Sequence, residues 1–539
     1  CGPRMESHAD HSGTDGSPSG ATPCDKGDPP AIGPSGAARK LAAGLDRSPL
    51  GVTPCAEGDP PEIVSGSVLR CPSTTQIYEV ATSGEPAAVN LPGRHAVGKI
   101  EAGGTVVASG PPEAQEDGTT VVPILPKGFV MLADVRADLN DFSIFDKIDP
   151  AARTEFLWCA RRSIKAERAI GAMVGLAVAD SVGAVFEMLP ILEPGYTFDP
   201  KTLEYTNQLN RFGLSPGQWT DDTSMSLCLA DSLLVHGDYN GTDIRIRFWN
   251  WWYQHYNNGF RFDGSRCKSI GIGGNIKTSL LAITDESPTP RFGDGGEDAG
   301  NGSLMRLAPV PIFFHMDEEL AICASAESSL TTHPGSLAAD ACEFLGLVIV
   351  RALKRAADCK QTAPQFLDAC AAAYLARPGV AANKLELSRL LLSQEPAGSL
   401  EPCWNWRDPA GPFLAETLAA RGCEYNGFPV NASYFGSFCL DGLAIALHSM
   451  YHTGNFIDAV SKCVNFLGDA DTMAAICAQM AGAFYGLRGI DSRLVANLEQ
   501  WDKGEVALRA ALLCELGAGR TEADNKITKK ILHDIARGS

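Results

Sequence analysis

Two widely separated acidic stretches carry the chemistry this chain is equipped to do. Trp219-Thr-Asp-Asp-Thr-Ser224 stands just before the apolar run Met225–Leu234, and Gly468-Asp-Ala-Asp-Thr472 opens the small-residue run Met473–Gly486. Each reads as a helix start. Thr220 suits an N-cap, with Asp221 and Asp222 in the first turn facing the helix dipole, and capping alone explains one such stretch. In the second, Asp469, Asp471 and Thr472 offer three oxygen ligands. Two such starts, each with paired Asp and adjacent Thr, suggest one shared cation site. Four carboxylates held together repel strongly unless a cation neutralises them, and hard cations such as magnesium choose carboxylate and hydroxyl oxygen.

Other residues could complete such a site. Asp180 and Glu187 lie seven apart, which on a helix puts both carboxylates on one face. An apolar helix seldom buries carboxylates without partners, so they either reach a pocket or are paired structural acids. Ile270-Gly-Ile-Gly-Gly-Asn275 and Gly300-Asn-Gly-Ser-Leu-Met-Arg306 are glycine-rich turns whose backbone N–H groups can approach an anion. His333, in Thr331-Thr-His-Pro-Gly335, is a lone histidine, and most such residues are structural.

These residues need long helices to hold them. Ser163–Leu189, Met225–Val235, Leu337–Ala356, Leu440–Met450 and Met473–Tyr485 all carry apolar residues at helical spacing, with no repeated strand–helix alternation. In the first, Gly171, Gly175, Ala179 and Gly183 form a stripe of small residues that lets a second helix approach closely. The expected class is therefore mainly α, an all-α bundle over residues 156–486, with a helical extension over 487–539.

The rest of the chain reads differently. Residues 1–66 contain no aromatic residue and are rich in Gly and Pro, so they cannot offset their ordering entropy and are expected to be disordered. They include a repeat, Thr22-Pro-Cys-Asp-Lys-Gly-Asp-Pro-Pro30 returning as Thr53-Pro-Cys-Ala-Glu-Gly-Asp-Pro-Pro61, which reads as a duplicated linker or a docking motif. Residues 74–136 show short β-rich runs between Gly, Pro and acidic turns, the pattern of a small all-β domain. By spacing and glycine placement it looks like a bacterial-type SH3 barrel, which implies at most an interaction module for an unknown partner; the alternative is a β appendage.

Composition narrows the partners. A formal charge of -19 argues against general nucleic-acid binding, which needs clustered Lys and Arg. No run is apolar and long enough to span a membrane. The 17 cysteines include no CxxC pair and sit in apolar stretches, as expected of reduced thiols in an intracellular, cytoplasmic protein. The sequence begins at Cys1, so an upstream targeting signal could precede it.

Taken in order, "GLAVADSVGAVFE", "WTDDTSM", "GNGSLMRLAPV", "TTHPG" and "LGDADTMAAICAQMAGAFYG" resemble the ADP-ribosyl-glycohydrolase family. The resemblance implies an orthogonal all-α bundle with a two-ion magnesium centre, manganese being possible. It implies metal ligation by Thr220, Asp221, Asp222, Asp469, Asp471 and Thr472. Glu187 and Asp222 would be catalytic, with Glu187 beside the metals and the scissile ribose. Asp180, Gly271, Gly273, Gly274, Asn301, Gly302, Ser303 and His333 would lie on the substrate side. The substrate would be an ADP-ribosylated protein or a small-molecule ADP-ribose conjugate, and the reaction hydrolysis of the ADP-ribose–acceptor bond. A non-catalytic ADP-ribose reader that keeps the pocket is the alternative. A prenyl-diphosphate synthase would need DDxxD-type pairs, whereas these are TDDT and DADT. Two departures stand out: Ala179-Asp180 where Gly-Asp is usual, and Leu467-Gly468 where two glycines are usual. Residues 381–435 form an insert, read as a lid or acceptor-recognition element.

Overall fold

The computed structural model describes residues 142–519, apart from 147, 192, 206–209, 264–265, 267, 284–287 and 294–298, and the backbone of ten short strands between Val52 and Ala137. Seventeen α-helices lie among the described residues. Eight carry the argument: α1 (Ile164–Gly183), α2 (Asp221–His236), α3 (Gly274–Leu281), α4 (Ser336–Lys354), α5 (Cys439–Tyr451), α6 (Phe456–Val464), α7 (Ala470–Tyr485) and α8 (Glu505–Gly517).

The core forms around α1 and α7, both buried along almost their whole length. The small-residue stripe makes this possible. A Cβ on Gly171 would overlap Gly482 O, one on Gly183 would overlap the backbone of Asp471, and one on Gly175 would lie 2.9 Å from Ala478 O. The two backbones therefore pack in direct contact. That contact delivers the first turn of α7 to the last turn of α1. Helices α4, α5, α6 and α8 close the remaining faces.

Helix α1 is shorter than its sequence suggests. It stops at Gly183, and residues 184–188 turn away instead of continuing to Leu189. Met188 adopts a left-handed φ of 67°, and Leu189 forms a β-bridge with Gly468, whose N–H donates to Leu189 O at 2.8 Å. That bridge pulls the chain out of the helix, so Glu187 reaches the cleft on a turn and not by helical spacing. Leu467, standing where a glycine is usual, also takes a left-handed φ, 65°, and is buried. A non-glycine residue is strained there.

The helical unit extends beyond 156–486. Phe145 and Ile148 join the core ahead of it, and α8 is buried behind it, with Arg509 ion-paired to Asp231 of α2 at 2.7 Å. The C-terminal helix is thus part of the body, because its apolar face completes the core beside α1 and α2. Every described cysteine is free, and Cys228, Cys439, Cys463 and Cys477 are buried. No helix among the described residues is long and apolar enough to cross a membrane.

In the N-terminal region, Arg94–Ile100, Thr75–Val80, Phe129–Met131, Thr120–Pro123 and Glu113–Ala114 form a five-stranded antiparallel sheet in that order. The expected strands are present. The SH3-like reading is not supported, since the loops and side chains of 74–136 lie outside the described residues. Within 1–66, expected to be disordered, Val52–Thr53 pairs with Glu62–Ile63. The remainder of that segment, including the first repeat copy, lies outside the described residues.

Candidate active site

Both acidic stretches begin helices, and the close α1–α7 contact brings them together. Thr220 occupies the N-cap position of α2 and Asp469 that of α7, but neither side chain caps its own helix. The cap of α2 comes from α1. Asp180, fully buried, accepts from Thr220 N at 3.0 Å and Thr223 N at 3.0 Å, and from the hydroxyls of Thr220 at 2.8 Å and Thr223 at 2.6 Å. Capping by Thr220, the simplest reading of the sequence, is therefore replaced by a carboxylate from a neighbouring helix. The consequence is chemical: the Thr220 proton goes to Asp180, which leaves hydroxyl lone pairs for a cation.

Oxygens of Asp180, Asp222 and Asp471 lie within 4.8 Å of one another, as do oxygens of Glu187, Asp469 and Asp471. Asp471 belongs to both groups. Buried carboxylates this close are costly. Burial first, and the neighbouring acids next, push the carboxyls of Asp221, Asp222 and Asp471 well above the usual carboxylate range. Burial also raises Asp180 and Asp469, while hydrogen bonds to them act the other way. Asp222 Oδ1 is buried without a hydrogen-bond partner among the described residues. An orphaned carboxylate oxygen in an all-oxygen, strongly acidic cluster fits a divalent cation.

Of the six expected ligands, Asp222, Asp469 and Asp471 fall in these groups. The Thr220 hydroxyl lies 3.3 Å from Asp222 Oδ2. Asp221 is buried against Gly271, whose φ is 90° and whose Cβ would lie 2.5 Å from Asp221 Oδ1. Only glycine fits there, so Gly271 shapes the wall behind Asp221. Thr472 donates its backbone N–H to Asp471 Oδ1 at 2.9 Å, and its hydroxyl faces Met305 Sδ at 3.9 Å.

The expected ligand loops divide in character. Gly273 and Gly274 are exposed at the start of α3. Asn301 donates its side-chain amide to Asp469 Oδ2 at 2.8 Å and Gly436 O at 2.9 Å, and its backbone N–H to Ser437 O at 2.9 Å. Ser303 is buried and accepts from Ser329 at 2.8 Å, so its hydroxyl faces the core. Gly302 rests on Ile276 and on His333, which is itself buried. Burial, then Arg306, holds His333 down to about 3, so its ring is neutral.

Several contributors carry no obvious signal in the sequence. Gln479 of α7 donates to Leu304 O and Met305 O and accepts from Ala308 N, bracing the loop after Asn301. Phe435 O accepts from Asp469 N at 3.0 Å, so the end of the 381–435 segment braces an acid of the cluster. That insert is anchored by a buried bidentate pair, Arg421 to Asp441, at 2.5 and 2.9 Å, joined by Trp404.

A mainly helical body with two facing acidic helix starts defines the class, and the comparisons agree. A family model described as ADP-ribosylglycohydrolase matches residues 161–523, and the chain belongs to that family. It is 26% identical over 341 residues to an ADP-ribosylarginine hydrolase Tri1 of Serratia proteamaculans, covering 62% of this chain and 76% of that protein. It is 25% identical over 354 residues to the ADP-ribosyl-[dinitrogen reductase] glycohydrolase of Rhodospirillum rubrum, covering 65% and 96%. A solved structure titled an ADP-ribosylglycohydrolase-related protein complex is 27% identical, with a TM-score of 0.46 over 65% of this chain and 99% of that one.

Proposed function

We propose that this chain is an enzyme that hydrolyses the bond between C1″ of ADP-ribose and an acceptor, using two magnesium ions, with manganese an acceptable substitute. The observation that carries the reading is the pair of acid groups sharing Asp471, one half-buried with Glu187 in it and one buried with the orphaned Asp222 Oδ1 in it. Thr220, Asp221, Asp222, Asp469, Asp471 and Thr472 would hold the cations. Bound there, the cations supply charge stabilisation to ribose oxygens and acidify water.

The chain's own residues do the rest. Asp180 takes the Thr220 proton and sets the α2 start. Asn301 holds Asp469. Glu187 orients the attacking water and accepts its proton. Water adds to C1″ as the C1″–acceptor bond breaks, through an oxocarbenium-like transition state, and the acceptor leaves with a proton. The Asn301–Ser303 loop, the Gly271–Gly274 loop and His333 line the ligand side.

The acceptor is taken as an arginine on a protein, a choice supported by the name of the Serratia relative. Incubation with arginine-linked and serine-linked ADP-ribosyl peptides, detecting free ADP-ribose, tests this. Release from the arginine peptide alone is expected; release only from the serine peptide reverses the assignment. Binding without release from either favours a reader.

A further inference from the structure

Arg306 closes the Gly300–Arg306 stretch and is 0% exposed. Its guanidinium stacks 4.4 Å over the Phe248 ring and donates to Ser328 O at 3.5 Å, Thr331 Oγ1 at 3.2 Å and Thr332 Oγ1 at 2.6 Å. It forms no ion pair among the described residues. Burying a guanidinium without a carboxylate is costly, so its contacts need a reason.

The direction of its hydrogen bonds supplies one. Arginine only donates, so both threonine hydroxyls accept from it. Thr331 passes its own proton to Ser328 O at 2.7 Å. Thr332 Oγ1 lies 2.8 Å from His333 Nδ1, so a hydroxyl that already receives a hydrogen from Arg306 has that nitrogen within reach of its own proton. A neutral imidazole that accepts at Nδ1 carries its hydrogen on Nε2. Nε2 lies against the glycine loop: a Cβ built on Gly300 would sit 3.2 Å from it, and one on Gly302 3.3 Å.

We propose that Arg306 and Thr332 are positioning residues that lock His333 as the Nε2–H tautomer. The ring then presents one permanent donor to a ligand oxygen at the Gly300–Gly302 loop. The relay Arg306–Thr332–His333 explains three features together: the buried cation, the adjacent threonines and the absence of side chains at Gly300 and Gly302. Its ligand half rests on the reading of this loop as part of the ADP-ribose site.

Nitrogen NMR on full-length protein labelled at histidine, with His333 assigned by loss of its signals in His333→Asn, tests the lock without any ligand. The parent should show an imine-type Nδ1 and a pyrrole-type Nε2. Thr332→Val should lose that pure signature and weaken ADP-ribose binding about ten-fold, the scale of one hydrogen bond. Thr332→Ser should restore both. A pyrrole-type Nδ1 in the parent overturns the relay, and so does an unchanged signature in Thr332→Val. An altered signature with unchanged affinity overturns the donor role. A parent with the expected signature but no affinity for ADP-ribose upholds the relay and overturns the ligand reading.

Discussion

Asn301 grips Asp469: one hydrogen of its side-chain amide goes to Asp469 Oδ2 at 2.8 Å, and the other goes to Gly436 O at 2.9 Å. Both donors are thus committed within the protein, one of them to a carboxylate that the proposed cation site would use. Outer-shell partners of this kind change metal affinity by about 10–100-fold. Asn301→Ala should therefore weaken magnesium binding to the chelated protein by roughly ten-fold or more in a calorimetric titration. Unchanged affinity would mean that the amide serves the ligand and not the metal ligand.

Asp180 has a different task. Its carboxylate accepts from two N–H groups and two hydroxyls at the start of α2. In Asp180→Asn the amide must turn an N–H₂ toward some of those donors. A destabilisation of about 1–3 kcal/mol in urea unfolding is expected, the scale for unsatisfied buried donors, together with weaker metal binding. Normal stability with a selective loss of ADP-ribose affinity would instead place Asp180 on the ligand.

Metal removal and pH are linked here with a definite sign. The carboxyls of Asp221, Asp222 and Asp471 titrate well above the usual range because of burial and then mutual repulsion. Between the unfolded and the raised values, the folded metal-free chain binds more protons than the unfolded chain. Its stability must fall as pH rises through that window. A cation binds the ionised form and reverses the loss. Melting temperatures of the chelated protein should decline from acid to neutral pH, and the gap to the magnesium-loaded protein should widen. Parallel curves would remove the acid cluster from metal binding.

Much of this was legible in the residues. The stripe Gly171, Gly175, Gly183 announced a close helix partner, and α7 fills that place. The acidic stretches announced two helix starts in one site. Glu187 was legible as a site acid, but its route was not, because the Leu189–Gly468 bridge that ends α1 is a contact between distant segments. The hydrogen bonds of Asp180 to the α2 start and of Asn301 to Asp469 were not legible for the same reason: they depend on which distant groups face a side chain. Arg306 stood in a quoted motif without a role, since nothing in the sequence tells a buried arginine from an exposed one.

Glu187 separates hydrolysis from mere binding. It shares an oxygen cluster with Asp469 and Asp471, and Glu187→Gln keeps its size while removing its charge. The measurement is free ADP-ribose released from an arginine-linked ADP-ribosyl peptide by parent and Glu187→Gln proteins, both magnesium-loaded. The variant should bind ADP-ribose like the parent yet turn over roughly 100-fold or more slowly, the scale for losing a general acid–base group. Parent-like turnover in the variant would contradict the assignment of the proton to Glu187, and no turnover in the parent would contradict hydrolysis itself.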